Sequence, residues 1–325
     1  MNALNTKIMI VVALGLGTLL STQLAAQDQP ANFHHVRLNV TNPQASIEYY
    51  QKFFSAVPVK FRGVSDAILT DRSYFLFNKV DEAPPKNATT ALWHVGWGGM
   101  HGPSEQQWRT ERGITWDTDI TTVGIPDELG GGHVHFMYAE GPDKEIIEIW
   151  TGTPTQRYNH VHLLTNDVNA TRDWYMDNLG ATGNKTQMPR PGPAPEGMTF
   201  ENPACWNYVW QAELHLDGVV FNIFGMPDGP TFWWPAEPIE EFEQTEGHAL
   251  DHLAFSYPAI QPVLERMKAN GVEIVQEIAW NEDLKMKSFF VRAPDNVLIE
   301  IVEADPLPHA SWMDHIHPEQ PVEDF

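Results

Sequence analysis

Cysteine is almost absent from these 325 residues: Cys205 stands alone. A single thiol closes no internal disulfide and builds no thiolate zinc site, so the fold rests on an apolar core and on whatever metal other side chains can hold. Positive charge is also scarce, with 20 Lys and Arg against 43 Asp and Glu and a formal net charge of −23. Such a chain repels phosphate backbones, which argues against nucleic acid as a partner. Past residue 26 no apolar run approaches the ~20 residues that cross a bilayer, so stable membrane insertion is not expected. Glycine-rich phosphate loops, nucleophile elbows and dinucleotide fingerprints are missing as well.

The chain opens on a distinct leader. Lys7 precedes an apolar stretch from Ile8 to Leu20, and Ser21 to Ala26 ends in small residues before Gln27. This is the pattern of a secretory signal peptide over residues 1–26, and it predicts a periplasmic or secreted protein that begins at Gln27.

The most informative feature is an internal repeat. The segment from His35 to Tyr50 aligns without a gap on His160 to Tyr175, at an offset of 125 residues. Each copy reads as a short strand followed by a helix. In the first strand His35, Arg37 and Asn39 face one way, and Val36, Leu38 and Val40 the other. Asn42 and Asp167 fall at matching places and suit an N-cap, with Pro43 a good first helical residue. Gly180 suits a helix stop. A second match joins the strand Leu92–Trp97, which carries His94, to Leu250–Phe255, which carries His252. Helices are expected after both, over 103–112 and 259–270. Both then close alike: Gly141-Pro-Asp leads to Glu148 inside a strand, and Ala293-Pro-Asp leads to Glu300.

Four modules follow, roughly 31–80, 90–152, 157–226 and 248–304. Pro189 to Pro203 and Met226 to Glu246 are rich in Pro and Gly and read as long loops. Residues 305–325 form a polar tail containing His309, His315 and His317.

The His-Val-x-Leu strand, the Ser/Thr-x-x-x-Tyr helix and the Pro-Asp-x-x-x-Ile-Glu strand together resemble the vicinal oxygen chelate superfamily, which includes glyoxalases, bleomycin resistance proteins and extradiol dioxygenases. The resemblance covers nearly all of residues 31–304. It implies an α+β fold of four βαβββ modules paired into two half-open barrels, one from residues 31–152 and one from 157–304. It also implies metal ligands on the first and last strands.

On that plan His35, His94 and Glu148 form one triad and His160, His252 and Glu300 another. A lone strand histidine is most often packed or hydrogen-bonded; its recurrence with a second histidine and a glutamate in both halves points to metal. Two imidazoles and a carboxylate on one face are the facial triad of non-haem Fe(II) oxygenases, which leaves three positions for substrate and O₂. The last strand of the first module of each pair offers no carboxylate, only Asn78 and Asn222, which disfavours a four-ligand lyase. The resemblance further suggests Tyr138 as a substrate-orienting tyrosine and His215 as an acid–base histidine, while His135, on the strand of Tyr138, is another acid–base candidate. Trp93, Trp97, Trp206, Trp210, Trp233 and Trp234 are placed to clamp a flat ligand.

The expectation is therefore a metal-dependent ring-cleaving oxygenase for a small aromatic or apolar substrate, with Fe(II) or Mn(II). The alternatives are a glyoxalase-type lyase or isomerase with Zn(II) or Ni(II), and a non-enzymatic small-molecule binder. Whether the protein assembles into an oligomer is left open.

Overall fold

The computed structural model of the chain describes residues 29–307 apart from 71, 72, 154 and 156. The expected leader, and the tail histidines His309, His315 and His317, lie outside the described residues. The first module comprises β1 (Asn32–Val40), α1 (Pro43–Phe54), β2 (Val57–Phe61), β3 (Ser65–Thr70) and β4 (Ser73–Lys79). The second has β5 (Leu92–Gly98), α2 (Gly102–Glu111), β6 (Thr115–Trp116), β7 (Thr121–Gly124), β8 (His133–Glu140) and β9 (Ile146–Trp150). The third has β10 (Tyr158–Thr165), α3 (Val168–Leu179), β11 (Thr182–Gly183), β12 (Gln211–Leu216) and β13 (Val219–Gly225). The fourth has β14 (Leu250–Tyr257), α4 (Gln261–Ala269), β15 (Glu273–Asn281), β16 (Met286–Arg292) and β17 (Leu298–Glu303). None of the described helices is long and apolar enough to cross a membrane.

Local chemistry sets the helix ends. Asn42 accepts the backbone N–H of Ala45 at 3.3 Å, and Asp167 that of Ala170 at 3.0 Å. These caps satisfy donors that the first turn leaves free. Gly180, at φ 74°, ends α3 in the left-handed region where a side chain would be strained.

The strands form two mixed sheets, in the orders β15-β16-β17-β14-β1-β4-β3-β2 and β11-β12-β13-β10-β5-β9-β8-β6, with β7 also paired to β8. Within a module the first and last strands run parallel, and modules meet antiparallel through their first strands, β1 on β14 and β10 on β5. The first module thus shares a sheet with the fourth, and the second with the third. This corrects the expectation that 31–152 and 157–304 each build one barrel. The repeat equates the first module with the third and the second with the fourth, and both pairings satisfy that equation.

Modules of one half still touch, but back to back. Trp97 of β5 packs on Tyr50 and Phe54 of α1 and on Phe75 of β4, with ring centroids 5.8, 4.9 and 5.2 Å apart. The Pro-Asp turns lock the same contact: Thr41 Oγ1 donates to Asp143 at 2.8 Å and Thr165 Oγ1 to Asp295 at 2.6 Å. One apolar core joins the backs of both sheets.

The faces turned away from that core differ. On the first sheet a second cluster fills the face, with Val57, Val59 and Phe61 of β2 against Leu76 and Met286. The turns close over it, Arg62 donating to the Lys285 carbonyl at 3.2 Å and Ser65 to the Asp283 carbonyl at 2.6 Å. The second sheet instead encloses a cavity of about 800 Å³.

The back-to-back contact contains a buried carboxyl. Glu145 accepts the Tyr50 hydroxyl at 2.9 Å and the Asp143 N–H at 3.1 Å. Burial pushes its pKa up from 4.5 to about 7, against the pull of those hydrogen bonds. The folded protein therefore keeps a proton that the unfolded chain releases, and stability falls as pH rises through that window. Glu145→Gln removes this term. Between pH 5 and pH 8 the variant should gain up to about 3 kcal/mol relative to the parent, read from urea unfolding at each pH. Parallel pH curves for the two proteins would sink the assignment.

Candidate metal centre

Bulges aim the histidines. In β1 the core residues are Phe33, Val36, Leu38 and Val40, so the alternation changes phase once. The register shift between Phe33 and His35 marks the place, and β10 repeats it between Tyr158 and His160. Each bulge inserts one residue, His34 or Asn159, and turns the next histidine away from the core. Facing shifts on β14 and β5 insert Asp251 before His252 and Trp93 before His94. Three of the four inserted residues then hold the Nδ1 of the histidine they precede. His34 Nδ1 shares a hydrogen bond with His35 Nδ1 at 2.8 Å, Asn159 meets His160 at 2.6 Å, and Asp251 meets His252 at 2.5 Å. Each Nε2 then faces inward, toward a glutamate. Such outer partners set the tautomer and orientation of metal-binding histidines.

Two clusters result. On the second sheet His94, His160 and His162 place Nε2 at 2.9, 3.1 and 3.3 Å from a single oxygen, Glu148 Oε2. On the first, His35 and His252 place Nε2 at 3.3 and 3.4 Å from Glu300 Oε2. In each cluster the ligand atoms lie within 4.8 Å of one another, and all these side chains are buried. All six expected residues take part, but His35 and His160 have exchanged clusters. The reason is the sheet pairing: β1 lies beside β14, and β10 beside β5.

His162 is the residue missed from the sequence. It stands two positions after His160 on one strand, so alternation alone puts both imidazoles on the same face. The register shows its equivalents. Opposite Glu148 stands Gly96 and opposite Glu300 stands Ala254, whereas opposite Asn222 stands His162 and opposite Leu76 stands Arg37. So in each sheet one module supplies a glutamate beside a small residue, and the other sets a large basic residue beside Asn222 or Leu76. Both asparagines are engaged by a basic side chain, Asn222 meeting His162 Nε2 at 3.1 Å and Arg37 reaching past Leu76 to donate to Asn78 at 3.4 Å. Gly96 leaves no room for more: an added Cβ would sit 1.9 Å from His160 Nε2.

Electrostatics prepare the ligands. Burial alone would raise the Glu148 carboxyl, but His162, His160 and His94 hold it well below the usual range. Burial lowers His94 and His162 despite Glu148 beside them. An ionised carboxylate among imidazoles biased toward neutrality is the state that a divalent cation needs. In the other cluster burial takes His35 down to about 4, whereas for His252 burial is outweighed by Asp251 and Glu300, which push it up to about 9. The Nε2 atoms of His35 and His252 are buried and make no hydrogen bond of good geometry, an unmet demand that a bound cation displacing the His252 proton would satisfy. The residues present therefore fit a divalent metal in both clusters.

The cluster at Glu148 opens on the cavity of the second sheet. Glu148, His160 and His162 line it, with Tyr138, whose ring lies 5.0 Å from that of His94. Burial, Glu148 and Asp117 raise the Tyr138 phenol, so it stays a hydrogen-bond donor. The other two acid–base candidates are not brought to the metal cluster. His135 is one residue out of phase with Tyr138, and it packs against Gly102 at the start of α2. His215 is more than half exposed and pairs with Glu213 at 3.0 Å. Of the six tryptophans singled out from the sequence, Trp93, Trp206, Trp233 and Trp234 line the cavity together with Trp150, and Trp206, Trp233 and Trp234 come from the Pro-rich loops and their flanks. Trp97 belongs to the core, and Trp210 lines a separate groove of about 520 Å³ between those loops.

Residues 157–301 match the family model described as the Glyoxalase/Bleomycin resistance protein/Dioxygenase superfamily. Among solved structures, a glyoxalase I mutant from Zea mays is similar at a TM-score of 0.61 and 15% identity, covering 91% of this chain and 99% of that one. Glyoxalase I from Zea mays superposes at 0.59 and 15%, covering 84% and 92%. A putative dioxygenase from Bacillus subtilis gives 0.55 and 12%, covering 91% and 92%. At these identities the likeness is one of fold. A search of curated protein sequences finds no match.

Proposed function

We propose, from the match of residues 157–301 to the Glyoxalase/Bleomycin resistance protein/Dioxygenase superfamily and the likeness of fold to glyoxalase I over 91% of the chain, that this protein is a metal-dependent enzyme of the lyase or isomerase type. It acts on a small substrate that has an aromatic or apolar body and two neighbouring oxygens. One observation carries the reading: three imidazole nitrogens converge on one carboxylate oxygen at the wall of an 800 Å³ cavity. A divalent cation there would polarise substrate oxygens as a Lewis acid. His94, His160, His162 and Glu148 would hold it. Four protein donors leave fewer open positions than the three that a catecholate and O₂ together require, which moves the reading from oxygenase toward lyase or isomerase. Tyr138 donates a hydrogen bond to a substrate oxygen, and the aromatic walls exclude water from the reacting atoms. The second cluster, under a filled face, serves as a structural metal site. The leader supports a working place outside the cytoplasm, which N-terminal sequencing of the mature protein would check.

A ring-cleaving oxygenase is the second reading. It is favoured by Tyr138 beside His94, and it requires His162 to stand aside from the metal. Metal analysis of anaerobically purified protein, followed by electron paramagnetic resonance with nitric oxide, separates the two. Bound zinc, nickel or manganese without iron supports the first, an iron–nitrosyl signal the second, and no metal at either cluster defeats both. Tyr138→Phe should leave metal content unchanged and lower kcat/KM about 10- to 100-fold; loss of metal instead would make Tyr138 a structural residue.

A further inference from the structure

The charge on the cavity wall is one-sided. Among the described residues that line it there is no lysine or arginine, while Asp117 and Glu213 join Glu148. Lys86 reaches Asp117 at 3.5 Å from outside the lining, but is held more closely by Glu140 at 2.9 Å. His215 meets Glu213 at 3.0 Å on the exposed side. Even with a divalent cation bound, three carboxylates outnumber its charge. The walls add to the same field. Trp93 lies 5.7 Å from Trp234 at 76° and 5.8 Å from Tyr138 at 52°, and Trp233 stands 6.1 Å from Trp234. Ring faces carry negative potential and attract cations.

Resting on the reading of this cavity as the active site, we infer that its substrate class is aromatic compounds that are neutral or positively charged, and that carboxylated, phosphorylated or otherwise anionic substrates are refused. An anion entering here would lose hydration with no cationic side chain among the lining residues to replace it, and would share the cavity with the Asp117 and Glu213 carboxylates. An ammonium group would meet aromatic faces and those two carboxylates. The net charge of −23 repels anions before they arrive.

The test uses three ligands that share one ring and one oxygen pair: catechol, its cationic 4-(2-aminoethyl) derivative and its anionic 4-carboxy derivative. Each is titrated anaerobically into the full chain by calorimetry, once with EDTA and once with Mn(II). The cationic member should bind at least about 10-fold more tightly than the carboxylate in both series, with catechol between them. Asp117→Asn combined with Glu213→Gln should shrink that ratio to about threefold or less. If the carboxylate binds as tightly as the cation, or if none of the three binds, the inference is overturned. If Mn(II) alters none of the affinities while the charge order holds, the metal reading falls and the charge selection stands.

Discussion

Gly96→Ala is expected to empty the cluster at Glu148 of metal. The added methyl carbon would lie 1.9 Å from His160 Nε2 and 2.1 Å from its Cε1, well inside any non-bonded contact. The ring is held between Asn159 and Glu148, so it cannot yield and keep its place. Affinity for Zn(II) or Mn(II) should fall by at least about 100-fold, since losing an outer partner alone costs 10- to 100-fold. Overpacking should also cost about 1–3 kcal/mol of stability. Competition against a chromogenic chelator reads the first effect and thermal unfolding the second. The other cluster is an internal control, because β14 already carries Ala254 opposite His35. Parental affinity at both clusters in Gly96→Ala would show that His160 is not a ligand.

The second large effect concerns which residues share a metal. Glu148→Ala should remove the ion held by His94, His160 and His162, and Glu300→Ala the ion held by His35 and His252. Each substitution should lower metal content by half when both clusters load. His35→Ala combined with Glu300→Ala should lose no more metal than either alone, whereas His35→Ala with Glu148→Ala should lose both ions. In metal-free protein, Glu300→Ala should destabilise by about 3–5 kcal/mol, because it strips a buried charged group of a partner. If His35→Ala depleted the cluster at Glu148, the sheet pairing described above would be wrong.

Much of this was legible because it is local. Asn42 and Asp167 were readable as caps because a cap needs only a side-chain oxygen and three following residues. The inward set of β1 was readable from alternation, and the same reasoning applied to His160-Val-His162 finds the fourth candidate ligand. The bulges at His34, Trp93, Asn159 and Asp251 were not readable, since nothing in their side chains demands an unpaired position. They appear only when two strands distant in sequence are laid side by side. His135, proposed from its place on the strand of Tyr138, falls on the other face by alternation and meets α2, while exposure to solvent overrides the family likeness for His215.

By itself the sequence determined the four modules, the six candidate ligand residues that recur in them, and the acidic balance. These depend on residue type and spacing along one strand or turn, where covalent geometry sets which side chains share a face. Only the tertiary structure decided that the first module pairs with the fourth, which histidines meet which glutamate, and that one inner face is packed while the other is open. Those outcomes rest on strand edges brought together from distant parts of the chain, β1 with β14 and β5 with β10, and on whether the side-chain volumes of Val57, Val59, Phe61 and Met286 fill the space between them. Local periodicity carries no information about either.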